Sequence, residues 1–165
     1  DAVHGAEICR DLQDRLVMIA RVSDAGAFVN TNALTLKRSH GDYSVMQLLY
    51  DGSEIKAVLD FVNAGEVPIA WELIRSYSYM DCTFNAARLA AYTNEYRRYA
   101  EVSMDDLRYM PYLYLGQLLS STYGYKQYLQ TGDEELLAFG RWRTEMCRYL
   151  IANAGEVSAE LVRLA

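Results

Sequence analysis

Two short apolar runs, Gln47-Leu48-Leu49-Tyr50 and Ile55-Lys56-Ala57-Val58-Leu59, flank Asp51-Gly52-Ser53-Glu54. Runs of this length joined by residues that tolerate tight turns form a β-hairpin. An acid stands near each end: His40-Gly41-Asp42 precedes the first run, and the second run delivers Asp60-Phe61. A hairpin returns the chain to its point of entry, so two carboxylates eighteen positions apart in sequence are expected to converge.

Most of what surrounds the hairpin repeats with a helical period. Ile8, Leu12, Leu16, Ile19 and Ala20 recur in steps of about three or four and predict an amphipathic helix over residues 6–22. Gly26 and residues 30–32 end it, and residues 33–37 read as a short strand leading into the loop at Ser39 and His40. After the hairpin, Asn63-Ala64-Gly65 with Pro68 reads as a loop before a helix over residues 69–79. Phe84, Ala87, Ala91 and Tyr92 mark a further helix. Ser103 with Asp106 has the capping-box spacing, opening a helix whose stripe is Leu107, Met110, Tyr114, Leu118, Ser121 and Tyr125, with Pro111 either kinking it or marking its first turn. From Asp133 a last long pattern buries Leu136, Phe139, Met146, Cys147 and Leu150, and Gly155 is expected to separate it from a short terminal helix. The fold class is mainly α with a short β-hairpin, in one domain.

Composition narrows the partners. Of the 165 residues, 52% are hydrophobic and 23% charged, as in a globular chain. A formal net charge of -6 opposes binding to a polyanion, which needs clustered Lys and Arg, so nucleic acid is excluded as a partner. No apolar run approaches the ~20 residues that span a bilayer, which excludes a membrane anchor of that kind. Cys9, Cys82 and Cys147 are too scattered for a zinc or redox motif and read as free thiols; with no secretory leader they point to the cytoplasm. The chain starts at Asp1 rather than Met and reads as a piece of a longer protein.

The chemistry concentrates between His40 and Glu72. Phosphoryl transfer needs a carboxylate to take the proton of the attacking hydroxyl and hard oxygen ligands to hold magnesium against the phosphates. His40-Gly41-Asp42, four residues, Gln47, the hairpin and Asp60-Phe61 follow the spacing of H-R-D-x-x-x-x-N and D-F-G in protein kinases. With Gly at position 41, the segment resembles the small-molecule branch of that superfamily: aminoglycoside phosphotransferases, choline kinases, type II homoserine kinases and related sugar kinases. The type II homoserine kinase group is the nearest look, through Ala90-Ala91-Tyr92, Tyr96 and residues 103–113.

The resemblance implies that residues 1–165 are the C-terminal, catalytic and substrate-binding lobe of a protein-kinase-like fold. By position it makes Asp42 the catalytic base, His40 the residue that shapes the catalytic loop, and Gln47 and Asp60 the ligands of Mg2+ and hence of the cofactor site. Glu72 falls where the family carries an acid that steadies the loop through its backbone. ATP is the implied phosphate donor and a small-molecule hydroxyl the acceptor. A glycine-rich strand pair and a paired lysine would come from an N-terminal lobe in cis, absent from this sequence, so the isolated chain is expected to bind ATP poorly and turn over little.

Two departures stand out. Gln47 replaces the family's usual Asn but keeps an amide oxygen suited to magnesium. Val62 follows Asp60-Phe61 where a Gly or an acid is usual, which leaves a second metal ligand unaccounted for and keeps open an alternative: a kinase-fold binding or structural protein, spore-coat-like, with impaired catalysis. Other residues have plainer readings. His40 is read as a hydrogen-bonded structural histidine and His4 as surface. Of the 14 tyrosines, those at 109, 112, 114, 123, 125 and 128 are read as packing rather than as a cage for a cationic substrate, although aromatic faces do attract such groups. Glu66 and Asp81 are read as solvated charge rather than amine-binding acids.

Overall fold

The computed structural model describes residues 4–24, 29–80 and 84–165. Gly26, Asp81 and Cys82 lie outside them. The described residues form α1 (Gly5–Asp24), β1 (Leu36–Ser39), β2 (Leu48–Asp51), β3 (Glu54–Val58), β4 (Gly65–Pro68), α2 (Ile69–Met80), α3 (Ala86–Arg97), α4 (Met104–Ser120), α5 (Tyr123–Thr131) and α6 (Glu134–Leu164). The chain is mainly α-helical, with the expected hairpin formed by β2 and β3, antiparallel and turned at Gly52. No helix among the described residues is long and apolar enough to cross a membrane.

Chain contacts divide it into two units, Asp1–Val29 with Leu115–Ala154, and Asn30–Tyr114 with Gly155–Ala165. In the first unit, α1 buries a different stripe from the one its apolar residues predict. Ile8, Asp11, Arg15 and Met18 are buried, whereas Leu16 is 66% exposed and Ile19 39%. Polar partners reverse the expectation. Arg15 donates to Thr144 Oγ1 at 2.7 and 3.0 Å and to the carbonyls of Ser121 and Gly140 at 2.6 and 3.2 Å, and the Tyr125 hydroxyl donates to Asp11. A buried polar side chain so satisfied no longer carries the full desolvation penalty that normally sends it to the surface. The α5 and α6 backbones approach closely at Gly124 and Gly140, where a Cβ on Gly124 would lie 2.5 Å from the Gly140 nitrogen.

In the second unit, β1 and β4 form another antiparallel pair, Leu36 opposite Pro68 and Ser39 opposite Gly65. Residues 65–68 are therefore a strand rather than the expected loop, and the strand before His40 is shifted to begin at Leu36. Pairing across the chain supplies what the local sequence lacks. Capping at Ser103 and Asp106 is reciprocal, with Ser103 N–H to Asp106 Oδ2 at 2.8 Å and Asp106 N–H to Ser103 Oγ at 3.0 Å. Asp106 also accepts the Thr35 N–H at 2.9 Å, tying the approach to β1 onto the start of α4. In α3 the buried positions are Leu89, Ala90 and Thr93, while Ala87 and Ala91 are exposed. Alanines say little about facing, because their burial gains little. Pro111 lies inside α4, and Ser121 and Tyr125 lie beyond that helix's end. Gly155 does not break α6, which runs on to Leu164: one helical glycine costs only about 1 kcal/mol, and Ala154, Val157 and Leu161 are buried around it.

Candidate active site

The site is built where β1 runs out and α2 begins. Ile69 N–H bonds to the Thr35 carbonyl at 3.0 Å, and the β1–β4 ladder holds the residues just before His40 beside the entry to α2. The first turn of α2 thereby faces the loop at residues 40–43. Glu72, 7% exposed, accepts the Gly41 N–H on Oε2 and the Tyr43 N–H on Oε1, both at 3.1 Å. One carboxylate thus grips the backbone on either side of Asp42, the part expected of Glu72.

Gly41 has φ +76°, and a Cβ there would lie 2.0 Å from the Asn63 carbonyl oxygen. Only glycine fits, on grounds of conformation and of space. His40 is buried, as expected of a structural histidine, with its Nε2 2.6 Å from the Leu59 carbonyl. A carbonyl only accepts, so Nε2 carries the proton. Nδ1 is buried without a hydrogen-bond partner. The Phe61 ring lies 4.6 Å from the imidazole, centroid to centroid.

Leu59 connects the two acidic ends of the hairpin. Its N–H donates to the Gln47 carbonyl at 2.8 Å while its carbonyl takes His40, so both backbone polar groups of the residue before Asp60 are held by the 40–47 loop. Asp60 itself sits in the left-handed region, φ 59° and ψ 62°, uncommon for a side-chain-bearing residue and frequent where function holds a strained backbone. Its carboxylate is exposed and forms no ion pair or hydrogen bond with the described residues, and neither does the half-buried Gln47 amide. Among the described residues no cluster of three or more His, Cys, Asp or Glu side chains is placed to hold a metal ion.

Asp42 has a partner that sequence reasoning missed. Its Oδ1 pairs with Arg75, whose other terminal nitrogen donates to the Tyr43 carbonyl at 3.2 Å. Arg75 is 8% exposed and lies between the rings of Trp71 and Tyr79, 5.6 and 5.1 Å from their centroids. The legible signal was spacing: positions 71, 75 and 79 share one helix face, and Arg75 follows Glu72 by three.

A cavity of about 370 Å³ opens beside this loop, with His40, Tyr43, Glu72, Ser76, Tyr92 and Tyr96 in its wall. Ser76 Oγ and the Tyr92 hydroxyl are 2.9 Å apart. Burial raises the Tyr43 and Tyr96 hydroxyl pKa values, and Glu72's charge adds to the rise at Tyr96, so both stay protonated donors. These are not the tyrosines the sequence crowds together. Of that group Tyr114, Tyr125 and Tyr128 are packed inside, while Tyr123 is 51% exposed. Glu66 is exposed on β4.

A family model described as the phosphotransferase enzyme family matches residues 8–102, more than half of the chain, from α1 through the loop, the hairpin and α2 to α3. Neither the curated proteins nor the solved structures include a match. The matched span contains the loop of Asp42, the hairpin and the helix that braces them, and on that extent the chain belongs to the phosphotransferase enzyme family.

Proposed function

We propose that the intact protein moves the γ-phosphate of ATP onto a hydroxyl of a small molecule, a sugar, aminoglycoside, amino alcohol or homoserine among them. The observation that carries this reading is Leu59, bonded at once to His40 and Gln47, because it ties Asp60 to the loop of Asp42. Asp42 takes the acceptor's proton as its oxygen bonds to the γ-phosphorus, and the bond to the bridging oxygen breaks to release ADP. Gln47 and Asp60, two unengaged hard-oxygen side chains, fit magnesium, which is commonly held by one or two carboxylates with phosphates and water. Bound there, the ion would neutralise phosphate charge. The neighbouring cavity has a metabolite's dimensions.

Several apolar side chains around the hairpin are open to solvent: Met46 76%, Leu49 50%, Ile55 54%, Phe61 58% and Val62 89%. Apolar exposure gathered on one short stretch of chain suits a surface that something covers. The reading assigns that role to an N-terminal nucleotide-binding lobe, making this chain the C-terminal lobe. The rival, a kinase-fold protein without efficient catalysis, draws on Val62, which has no ligating atom.

The test is a phosphate-transfer screen of the full-length protein with Mg-ATP against sugars, aminoglycosides, choline and homoserine. Asp42→Ala should lower turnover roughly 10²- to 10⁴-fold without unfolding the protein, and undiminished turnover would refute the reading. Absence of any Mg-ATP thermal shift in the parent protein would favour the rival.

A further inference from the structure

A carboxylate that accepts a proton from an acceptor hydroxyl has two equivalent oxygens, and rotation about its terminal torsion exchanges them. At Asp42 that equivalence is broken. Arg75 makes its closest approach to Oδ1, and none of the described residues donates a hydrogen bond to Oδ2. We propose that Arg75 is a positioning residue for phosphoryl transfer, turning the Asp42 carboxylate so that Oδ2 alone faces the acceptor. The proposal rests on the reading of Asp42 as the base.

Three observations make Arg75 suited to this and not merely to charge balance. Its guanidinium spans two partners of the loop, the Asp42 carboxylate and the Tyr43 carbonyl, so it fixes a side chain relative to its own backbone. It is nearly buried, which is rare for arginine unless the charge is paired. Trp71 and Tyr79, one turn before and one turn after it on α2, lie close enough to its charged end to bracket it through their ring faces. Bracketed in this way, the planar fork has little freedom. Lysine offers a point charge on a flexible stem, with neither the fork nor the stacking plane, so charge alone does not replace it.

Glu72 and Arg75 then divide the work. Glu72 takes the two N–H groups flanking Asp42, and Arg75 takes the next carbonyl and the carboxylate itself. Removing Arg75 leaves Glu72's hold on the Gly41 and Tyr43 N–H groups in place and frees the Asp42 side chain together with the Tyr43 carbonyl. Because the Asp42 side chain is 27% exposed, water can solvate the carboxylate once its partner is gone, so the variant should fold.

The experiment uses the full-length protein with Mg-ATP, measuring ADP release with water as acceptor and with any acceptor found in the screen. Arg75→Met and Arg75→Lys should each lower kcat roughly 10- to 100-fold, the scale of a mispositioned group, with KM for ATP changed less than about twofold. In Arg75→Ala, millimolar methylguanidinium should restore part of kcat and methylammonium should not. A merely structural arginine would not give that selectivity. Tyr79→Leu, which keeps the ion pair and removes half of the bracket, should lower kcat by a smaller factor, and it decides the matter if the Arg75 variants do not fold. Retention of kcat within about threefold in Arg75→Met or Arg75→Lys overturns the proposal, as does equal rescue by methylammonium. If Asp42→Ala is also fully active, the reading of Asp42 has failed; if Asp42→Ala is inactive while the Arg75 variants are active, only the role of Arg75 has failed.

Discussion

Replacing Glu72 by Gln tests the grip on the loop with almost no change in shape. The carboxylate accepts two N–H groups, from Gly41 and Tyr43, one on each oxygen. Glutamine keeps one acceptor oxygen and puts an NH2 group where the other was, so one bond survives without its charge and one N–H meets another donor. The first change costs about 1 kcal/mol, and the second about 1–3 kcal/mol for a buried donor left unpaired. Part of this is offset because a neutral side chain no longer needs a buried charge solvated. These costs sum to about 2–4 kcal/mol before the offset, and a net loss of about 1–3 kcal/mol follows. For a chain of this size, where 1 kcal/mol moves Tm by roughly 2–4 °C, a loss of ~2 kcal/mol predicts a drop of about 4–8 °C.

Urea unfolding gives the free energy, and hydrogen exchange at the Gly41 and Tyr43 amides localises it. Both amides should lose protection in Glu72→Gln, whereas Glu66→Gln, an exposed acid on β4, should leave stability within about 0.5 kcal/mol. The reasoning is wrong if Glu72→Gln matches the parent within that margin or if those amides exchange no faster.

Gly41→Ala should disrupt the same loop by another route, since its Cβ would fall 2.0 Å from the Asn63 carbonyl oxygen at φ +76°. We expect a loss of about 3 kcal/mol or more in urea unfolding and loss of phosphate transfer; a variant as stable and active as the parent would mean the loop is not held as described. In the other unit, burial and the bond to Asp11 push the Tyr125 hydroxyl up to about 12. The unfolded phenol releases its proton near 10, so this contribution to stability is full below about pH 10 and is lost as pH rises towards 12. Tyr125→Phe should flatten that alkaline decline in urea midpoint, and an unchanged slope between pH 10 and 12 would remove Tyr125 as its cause.

Local signals account for what the sequence told correctly. The β2–β3 hairpin needs only its own two runs and a turn at Gly52, and the capping box needs only Ser103 and Asp106. The β4 strand was hidden because Gly65-Glu66-Val67-Pro68 has no strand pattern of its own and depends on residues 36–39 for its ladder. The facing of α1 was misread because periodicity assigns apolar residues to the core, while its buried stripe includes Asp11 and Arg15 with partners far along the chain. Arg75 was missed for the same reason: an arginine in a helix reads as solvated until its two rings and its carboxylate are seen around it. Glu72 was legible only through the resemblance, not through any property of its neighbours.

These buried charges differ in what they achieve. A buried ion pair is often no more stable than apolar side chains of the same volume, because desolvation consumes most of the attraction. In the first unit Arg15 and Asp11 connect α1 to α5 and α6, an attachment that apolar packing also provides. On α2 no apolar residue can do what Glu72 and Arg75 do, because their partners are backbone N–H and C=O groups and a carboxylate in a loop that has no ladder of its own. Left without those side chains, the Gly41–Tyr43 turn would satisfy its polar groups with water, and Asp42 would sample many directions in place of one. The charge on α2 therefore contributes order where the proposed chemistry needs it, and its removal should cost more in rate than an equal loss of stability elsewhere in the chain.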